Sequence, residues 1–522
     1  MERCLVFDGS DIMDFTSKLQ QTLEDDMNIS VTENYALGYQ TSGSNLLDLN
    51  FAVASLRRAS EGEIIKAFTK AYFDDKAVAL TWLFYARDIR GGLGERRLFR
   101  IIFEHLAKTV ASEDSEVPIR QLIQLIPEYG RYDDLFVLLG TPYYEILMAL
   151  IKEQLESDLK AMEKGESISL LAKWLPSVNA SSKTTRQNAR IIANILNMNQ
   201  AVYRKTLSQL RNYLDIVERK MSALRFGEIK YEAVPSKANL LYNQAFLKRD
   251  EERRRAYLES LKKGETKINA SVLYPHEIVH AYMPTNYSNN GYNFSYDETL
   301  EQLWKALPNI PELSNTIVVA DGSGSMFCHV GAGSCSALSV ANALAIYFAE
   351  HCNGEFKDKY ITFSASPQLV NLSKGKNLLE KLQIAMAYNE VANTNIEAVF
   401  NLILKTAKKN RMSQKDLPKN IVIISDMEFD VGADKIDKRL FDEISAKYEQ
   451  NGYKLPRLIF WNVNSRTQTI PVKTNELGVA LVSGFSIAIA KMVMSLELDP
   501  YKCLIDILNN ERYSPVREIL TY

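Results

Sequence analysis

From residue 311 onward, short β-branched runs alternate with amphipathic helical patterns, and this alternation constrains the fold more than any other feature. The predicted strands are 316–320, 360–363, 421–424, 458–463 and 478–482. Helices are predicted between them at 338–351 and 395–408. Strand–helix alternation is typical of a parallel sheet with helices on both faces. The sequence therefore predicts an α/β, Rossmann-like domain over residues 311–522.

The chain before this point has the periodicity of helices instead. One apolar stripe steps by four and three residues through Tyr203, Leu207, Leu210, Leu214, Val217 and Met221. Similar stretches occur at 63–87, 98–108, 145–162 and 186–196. Successive amphipathic helices with short links predict an all-α, HEAT-like helical-repeat module over residues 1–300. The chain is thus expected to be multidomain, with the polar, turn-rich segment 284–295 as its linker.

Composition favours a soluble protein of the cytoplasm. The chain has 522 residues, enough for two or more domains, and is 46% hydrophobic and 24% charged. Its five cysteines are scattered without Cys-x-x-Cys spacing, which favours reduced thiols. The N-terminus lacks the apolar core of a signal peptide, and no apolar stretch is long enough to cross a bilayer. We therefore expect no membrane association.

An Asp-x-Ser-x-Ser loop, Asp321 to Ser325, directly follows the predicted strand 316–320. One carboxylate and two hydroxyls at alternate positions can turn inward around a small hard cation, which prefers oxygen ligands. Such a loop at the C-terminal end of a parallel strand lies where open α/β sheets bind ligands. Two more oxygen-bearing residues follow in suitable places, Thr394 before a predicted helix and Asp426 after a predicted strand.

This set resembles the metal-ion-dependent adhesion site of von Willebrand factor A domains. The resemblance implies direct ligation by Ser323, Ser325 and Thr394, with Asp321 and Asp426 acting mainly through water. It implies Mg²⁺, or another divalent cation such as Mn²⁺ or Ca²⁺, with an open position for an acidic side chain of a protein partner. The alternative is an Asp/Ser-rich turn that caps the following helix.

The net charge of −2 conceals a strongly basic segment. Residues 171–270 contain 20 Lys and Arg against 9 Asp and Glu, a net of +11, whereas residues 311–522 contain 23 of each. Such a segment is the electrostatic signature of a polyanion-binding surface. The candidate RNA-binding residues are Lys173, Lys183, Arg186, Arg190, Arg204, Lys205, Arg211, Arg253, Arg254, Arg255, Lys262 and Lys263. Alternatively, these are solvated helix faces, and the acids at 250–252 pair with the arginines at 253–255.

Several strings in the helical part resemble the TROVE module of Ro ribonucleoproteins, which precedes a von Willebrand A domain. They include Asp88-Ile89-Arg90-Gly91-Gly92-Leu93-Gly94-Glu95-Arg96, Ile126-Pro127-Glu128-Tyr129-Gly130-Arg131-Tyr132-Asp133-Asp134 and Leu171-Ala172-Lys173-Trp174-Leu175-Pro176-Ser177. The layout is closer still to a TROVE-like family of plants, bacteria and large viruses. The resemblance implies a ring-shaped helical module that binds small structured RNAs and single-stranded RNA ends.

Together these features predict a non-enzymatic, RNA-binding ribonucleoprotein component with a Mg²⁺-dependent protein-interaction site. One alternative is a metal-dependent protein adaptor without an RNA role. Another is a metal-dependent phosphohydrolase, with Glu428 or Asp430 as its general base. A serine-hydrolase elbow is excluded, since no Gly-x-Ser-x-Gly spacing surrounds Ser323 or Ser325.

Overall fold

The structure, a computed structural model, describes residues 27–31, 37–109, 118–283, 295–310, 313–330, 335–389, 395–428, 440–466, 469–470, 479–484 and 499–520. The predicted linker 284–295 lies outside these ranges apart from its last residue. No described helix is long and apolar enough to cross a membrane.

Helices dominate the described chain up to residue 310, after a short antiparallel pair of β1 (Ile29–Val31) and β2 (Leu37–Tyr39). They are α1 (Asn45–Phe51), α2 (Val53–Leu56), α3 (Glu61–Asp74), α4 (Lys76–Arg87), α5 (Arg96–Thr109), α6 (Ile119–Tyr129) and α7 (Tyr144–Lys164). They continue as α8 (Leu171–Trp174), α9 (Lys183–Ile195), α10 (Gln200–Tyr213), α11 (Val217–Ser222), α12 (Ser236–Arg249), α13 (Glu251–Lys262), α14 (Pro275–Tyr282) and α15 (Glu298–Lys305). The predicted helical stretches are confirmed.

Two predicted helices are each divided by a local backbone signal. The predicted helix 63–87 divides at Asp75, which is extended (φ −155°) and caps α4 by accepting a hydrogen bond from the Val78 amide at 2.9 Å. The apolar stripe from Tyr203 to Met221 divides into α10 and α11, since Asp215 adopts a left-handed conformation (φ 54°).

The C-terminal part contains a mixed six-stranded sheet with the strand order β5-β4-β3-β6-β7-β8. The strands are β3 (Thr316–Asp321), β4 (Lys359–Phe363), β5 (Leu369–Asn371), β6 (Asn420–Ser425), β7 (Arg457–Asn462) and β8 (Val479–Ser483). The helices are α16 (Ala337–His351), α17 (Leu378–Ala387), α18 (Ile396–Lys409), α19 (Leu440–Gln450), α20 (Pro500–Leu508) and α21 (Ser514–Leu520). All five predicted strands are confirmed, and β5 was missed.

The strand order creates a crevice at one end of the sheet. The chain leaves β3 toward β4 on one side and returns to β6 on the other, and β3 is parallel to both. Ligands of open α/β sheets bind at such a switch point, beyond the carboxyl ends of the strands. The residues at this position are Asp321, which ends β3, and Asp426, which directly follows β6.

The helical part and the C-terminal part are joined at three places along the chain. Near its beginning, Tyr39 exchanges main-chain hydrogen bonds with Ile470 at 2.8 and 2.9 Å. The side-chain amide of Asn462 in β7 donates to the Phe51 carbonyl of α1 at 3.1 Å, so α1 packs over this side of the sheet. Further along, α14 packs along α16. The two parts of the chain therefore share a continuous core.

A third junction centres on the buried carboxylate of Asp88, which follows α4. Arg512 binds both of its oxygens, with one of the two hydrogen bonds at 2.8 Å, and the Tyr513 hydroxyl donates at 3.1 Å. Tyr513 also stacks on Tyr129 with the ring centroids 5.8 Å apart. The segment between α20 and α21 is therefore held against the helical part by charge, hydrogen bonds and aromatic packing.

The glycine-rich string after Asp88 forms a tight turn that builds this junction. Gly92 lies so close to α4 that a Cβ there would be 1.9 Å from the Tyr85 carbonyl oxygen. The main-chain carbonyl of Asp88 accepts from the Gly92 and Gly94 amides at 3.2 and 3.1 Å. Only glycine fits at residue 92, so this string has a structural reason for its composition.

We expect Asp88→Ala to lower the free energy of unfolding by roughly 1.5–3 kcal/mol, because it removes the buried acceptor of charge-assisted hydrogen bonds from Arg512 and leaves the Tyr513 hydroxyl without its acceptor. Urea unfolding followed by circular dichroism measures this loss. Arg90→Ala is the matched control, since its ion pair with Glu128 is exposed and worth at most about 1 kcal/mol. Equal losses in the two variants would contradict the role given to Asp88.

Candidate metal centre and basic surface

The predicted metal loop is folded around Asp321, whose carboxylate is buried. One of its oxygens accepts from the Ser323 amide at 2.9 Å, and the other accepts from the Ser425 hydroxyl of β6 at 2.7 Å. The hydroxyls of Ser323 and Ser325 lie 3.0 Å apart. The loop therefore gathers one carboxylate and two hydroxyls at the end of β3, as the sequence predicts.

Asp426 provides the second carboxylate at this site, and its side chain is fully buried. Burial raises the pKa of Asp426, and the neighbouring Asp321 carboxylate raises it further. One oxygen accepts from the Glu428 amide at 3.3 Å, while the other accepts no hydrogen bond from the described residues and lies 3.5 Å from the Arg466 guanidinium. Two buried carboxylates that oppose each other's ionisation suit a cation.

Other buried polar groups without a described hydrogen-bond partner lie in the loops that continue from β4, β7 and α17. They are the Ser364 and Ser465 hydroxyls and the side-chain amide nitrogens of Asn389 and Asn464. Buried polar groups are normally hydrogen-bonded to protein, water or a ligand. Several loops around the crevice thus have capacity for polar ligands.

The second loop of the predicted site approaches the metal loop at Asn389. A Cβ at Gly322 would be 3.0 Å from the Asn389 side-chain oxygen and 3.2 Å from its Cα, so these loops touch closely. Thr394 itself lies outside the described residues. Within them, no group of three or more His, Cys, Asp or Glu side chains is arranged to hold a metal. The candidate centre depends on serine hydroxyls beside two carboxylates.

Sequence reasoning missed Arg466, which follows β7 at the same edge of the sheet. Its guanidinium lies 3.5 Å from the Asp426 carboxylate and donates to the Cys328 sulfur at 3.6 Å. Its main-chain amide donates to Glu428 at 2.8 Å. Arg466 could have been predicted as a site residue from its position soon after a central strand, since residues at such positions line the crevice.

The phosphohydrolase alternative relied on Glu428 or Asp430. Glu428 is buried and accepts the hydrogen bond from the Arg466 amide, so this carboxylate organises the loop after β7. Asp430 lies outside the described residues.

The candidate RNA-binding residues divide into two groups. In the later group, Arg253 pairs with Asp250 at 2.8 Å, and Arg255 pairs with Glu251 at the same distance. Lys262 binds both Glu259 and Glu298 at 2.9 Å. These pairs neutralise much of the positive charge on α13, as the alternative interpretation expected.

The prediction for Arg254 is wrong, because its side chain is fully buried. Its guanidinium donates to Asn239 at 3.1 Å and to Thr299 of α15 at 3.4 Å. It also lies against the rings of Tyr231 and Phe246, 5.0 and 5.3 Å from their centroids. Arg254 therefore joins α13 to α12 and α15 and cannot reach a phosphate at the surface.

The earlier group has no acidic partner among the described residues. It comprises Lys173, Lys183, Arg186, Arg190, Arg204, Lys205 and Arg211, which lie on α8, α9 and α10. Arg186 donates to the Ala180 and Ser181 carbonyls, both at 2.7 Å, and carbonyls leave its charge uncompensated. Lys263, beyond α13, is also exposed. Among the candidate RNA-binding residues, the uncompensated charge is thus concentrated between residues 173 and 211.

The aromatic residues of the basic segment pack mainly in the core. Tyr203, Tyr231 and Phe246 are buried, and the Tyr203 hydroxyl donates to the Pro176 carbonyl at 3.0 Å. Trp174 is half-buried beneath the Arg131 guanidinium, which lies 4.5 Å from the ring centroid. Base stacking on the three buried rings is therefore excluded in this structure.

In comparison with known protein families, the chain matches two different domains, and the boundary between the matches lies between residues 310 and 315. Residues 315–503, which include the candidate metal centre, match a domain of unknown function, DUF7788. Residues 142–310, which include the basic segment, match a second one, DUF2828. An uncharacterized protein of Acanthamoeba polyphaga mimivirus is 28% identical over 529 residues, covering 94% of this chain and 89% of its own. Similarity to that viral protein thus extends over both parts.

We expect Mg²⁺ to raise the melting temperature of the wild-type protein, by an amount equivalent to about 2.7 kcal/mol at 100 times the Kd. Ser325→Ala should lose this gain. Asp426→Asn should also lose it, yet melt higher than wild type without metal, because it removes a buried charge beside Asp321. Differential scanning calorimetry measures both effects, and Ser236→Ala, at a buried serine of the helical part, is the control.

The raised pKa of Asp426 should also make the stability of the protein depend on pH. The folded, metal-free protein binds a proton that the unfolded chain has released, so its stability should fall as pH rises through the raised pKa. The Mg²⁺-dependent gain should grow over the same pH range, and Asp426→Asn should remove this dependence. Stoichiometric Mn²⁺ binding in both Ser325→Ala and Asp426→Asn would contradict the site assignment.

Proposed function

We propose that the C-terminal part is a von Willebrand factor A-like domain that binds a divalent cation, with Mg²⁺ as the expected ion. The observation that carries this proposal is the gathering of two carboxylates and two hydroxyls at the switch point of the sheet. These belong to Asp321, Ser323, Ser325 and Asp426, and Thr394 is the expected fifth member. Oxygen ligands with few charges suit a hard cation that keeps an open position.

The open position would receive an acidic side chain of a protein partner. A divalent cation whose direct protein ligands are mainly neutral hydroxyls stays a strong acceptor at its open position, and a carboxylate oxygen would complete its coordination. Arg466 is 25% exposed and lies beside Asp426. It can therefore pair with the second oxygen of the partner's carboxylate while the first oxygen binds the cation. The protein would therefore act by binding, without catalysis.

A peptide-display selection in Mg²⁺ tests this function. Enriched peptides should share an essential Asp or Glu, and replacing it with Asn or Gln should weaken binding at least tenfold. EDTA and Ser325→Ala should each have the same effect, because all three changes remove the cation bridge. Peptides that bind equally in EDTA would contradict the proposal and indicate an ordinary docking surface.

A second function, RNA binding by the helical part, is favoured by the separation of charges on its surface. The basic residues between 173 and 211 have no acidic partner among the described residues, whereas those on α13 are paired. Uncompensated Lys and Arg bind phosphates and release counterions, which gives affinity that depends weakly on sequence. The protein would thus connect RNA to a partner bound at the metal centre.

We expect structured RNA with a single-stranded tail to bind with a steep salt dependence and to be indifferent to EDTA. Lys183→Ala with Arg190→Ala should reduce the logarithmic salt slope by about 1 for each phosphate that is no longer neutralised. Fluorescence anisotropy at several salt concentrations measures this slope. Arg255→Ala with Lys262→Ala is the matched control, because both residues are already paired with acids. If the protein binds RNA no more tightly than it binds heparin, the alternative of a protein adaptor without an RNA role is favoured instead.

A further inference from the structure

A cavity of about 530 Å³ opens between α10 and the loop that follows α8. Its volume lies within the range of roughly 300–1,000 Å³ that is typical of small-molecule sites. Four of its lining residues are basic, namely Arg204, Lys205, Arg211 and Arg219. None of the described residues that line it is acidic, so the cavity presents concentrated positive charge.

The two inner arginines are positioned by main-chain carbonyls and hydroxyls. Arg211 donates to the Ala172 and Leu175 carbonyls, both at 2.7 Å, and to the Ser177 hydroxyl at 2.9 Å. Arg219, at the start of α11, donates to the carbonyl and hydroxyl of Ser208 at 2.7 and 2.9 Å. Neutral acceptors fix these guanidinium groups without compensating their charge.

These contacts also orient two further donors at the cavity. The Ser177 and Ser208 hydroxyls each accept a hydrogen bond from an arginine, so each retains its own proton to donate. Burial lowers the pKa of Arg211, and the nearby Arg219 lowers it further. The inner end therefore combines fixed positive charge with hydroxyl donors, which is the chemistry that binds phosphate.

Arg204 and Lys205 complete the site at its outer edge. Both are exposed on α10, and neither has an acidic partner in the part of the chain that the structure describes. An internal phosphodiester has one negative charge, whereas a terminal phosphate has about 1.5 to 2 at neutral pH. Four cations without a carboxylate therefore favour the terminal group.

We propose that this cavity is a nucleotide-binding site that holds a terminal phosphate of an RNA strand, with Arg211 and Arg219 at its inner end. The volume accommodates the attached nucleoside together with the phosphate. This inference rests on the proposed RNA-binding function and makes it more specific. It separates a phosphate pocket from the general basic surface of α9.

The test compares short single-stranded RNAs of one sequence that end in a 5′-phosphate, a 3′-phosphate or hydroxyls only. We expect one phosphorylated form to bind wild-type protein at least tenfold more tightly than the hydroxyl form. Arg204→Ala with Lys205→Ala should reduce this ratio to near one. Lys183→Ala with Arg190→Ala should weaken every RNA equally and preserve the ratio, because these residues lie outside the cavity.

A second variant tests the inner end without removing a charge. Ser177→Ala with Ser208→Ala deletes both hydroxyls and should reduce the same ratio at least threefold. Circular dichroism and the melting temperature verify that each variant is folded. Calorimetry with AMP and with inorganic phosphate then separates recognition of the nucleoside from recognition of the phosphate alone.

The outcomes distinguish this inference from the broader function. RNA binding with no preference for a phosphorylated end would overturn the pocket and leave RNA binding intact. Absence of RNA binding together with AMP binding that Arg204→Ala/Lys205→Ala abolishes would overturn the RNA function and retain a nucleotide pocket. A phosphoserine peptide that binds more tightly than every RNA and AMP would overturn the nucleotide assignment. Absence of saturable binding by any of these probes would overturn the inference.

Discussion

The buried carboxylate of Asp88 is the interaction on which the arrangement of the described chain depends most. It lies after α4, in the helical part, and it binds Arg512 and Tyr513 from the far end of the sequence. A buried charge is costly without its partner, so the helical part is complete only when the segment around residue 512 is in place. The turn at Gly92 holds this carboxylate in position.

This junction changes how the two candidate functions relate to each other. The helical part contacts the C-terminal part at α1, along α14 and around Asp88, so the candidate metal centre and the basic surface belong to one packed body. A ligand at the crevice can affect the helical part only if the protein has two arrangements that differ in their affinity for that ligand. If the proposed binding of RNA and of an acidic partner is coupled in this way, each ligand would change the affinity for the other by the same factor.

The strands of the sheet were predictable because their residues form buried β-branched runs. The proximity of Asp321 and Asp426 was predictable because the carboxyl ends of parallel strands lie at one edge of a sheet. β5 was missed, since it has three residues of which only Val370 is buried. Charge counts could not show that Arg254 is buried, because burial depends on the distant Asn239 and Thr299. The junctions were equally inaccessible, as Asp88 and Arg512 are 424 residues apart and no local pattern records their contact.

The packing of α1 and α2 against β7 and β8 affects how the chain folds while it is being translated. Residues 39–56 emerge from the ribosome long before the strand at 479–483 exists to receive them. During that interval Leu47, Phe51 and Val53, which are buried in the finished protein, lack their final surroundings. Contacts between distant segments form slowly, and apolar surface exposed meanwhile promotes aggregation. Production of this protein should therefore be sensitive to translation rate and to chaperones that bind apolar segments.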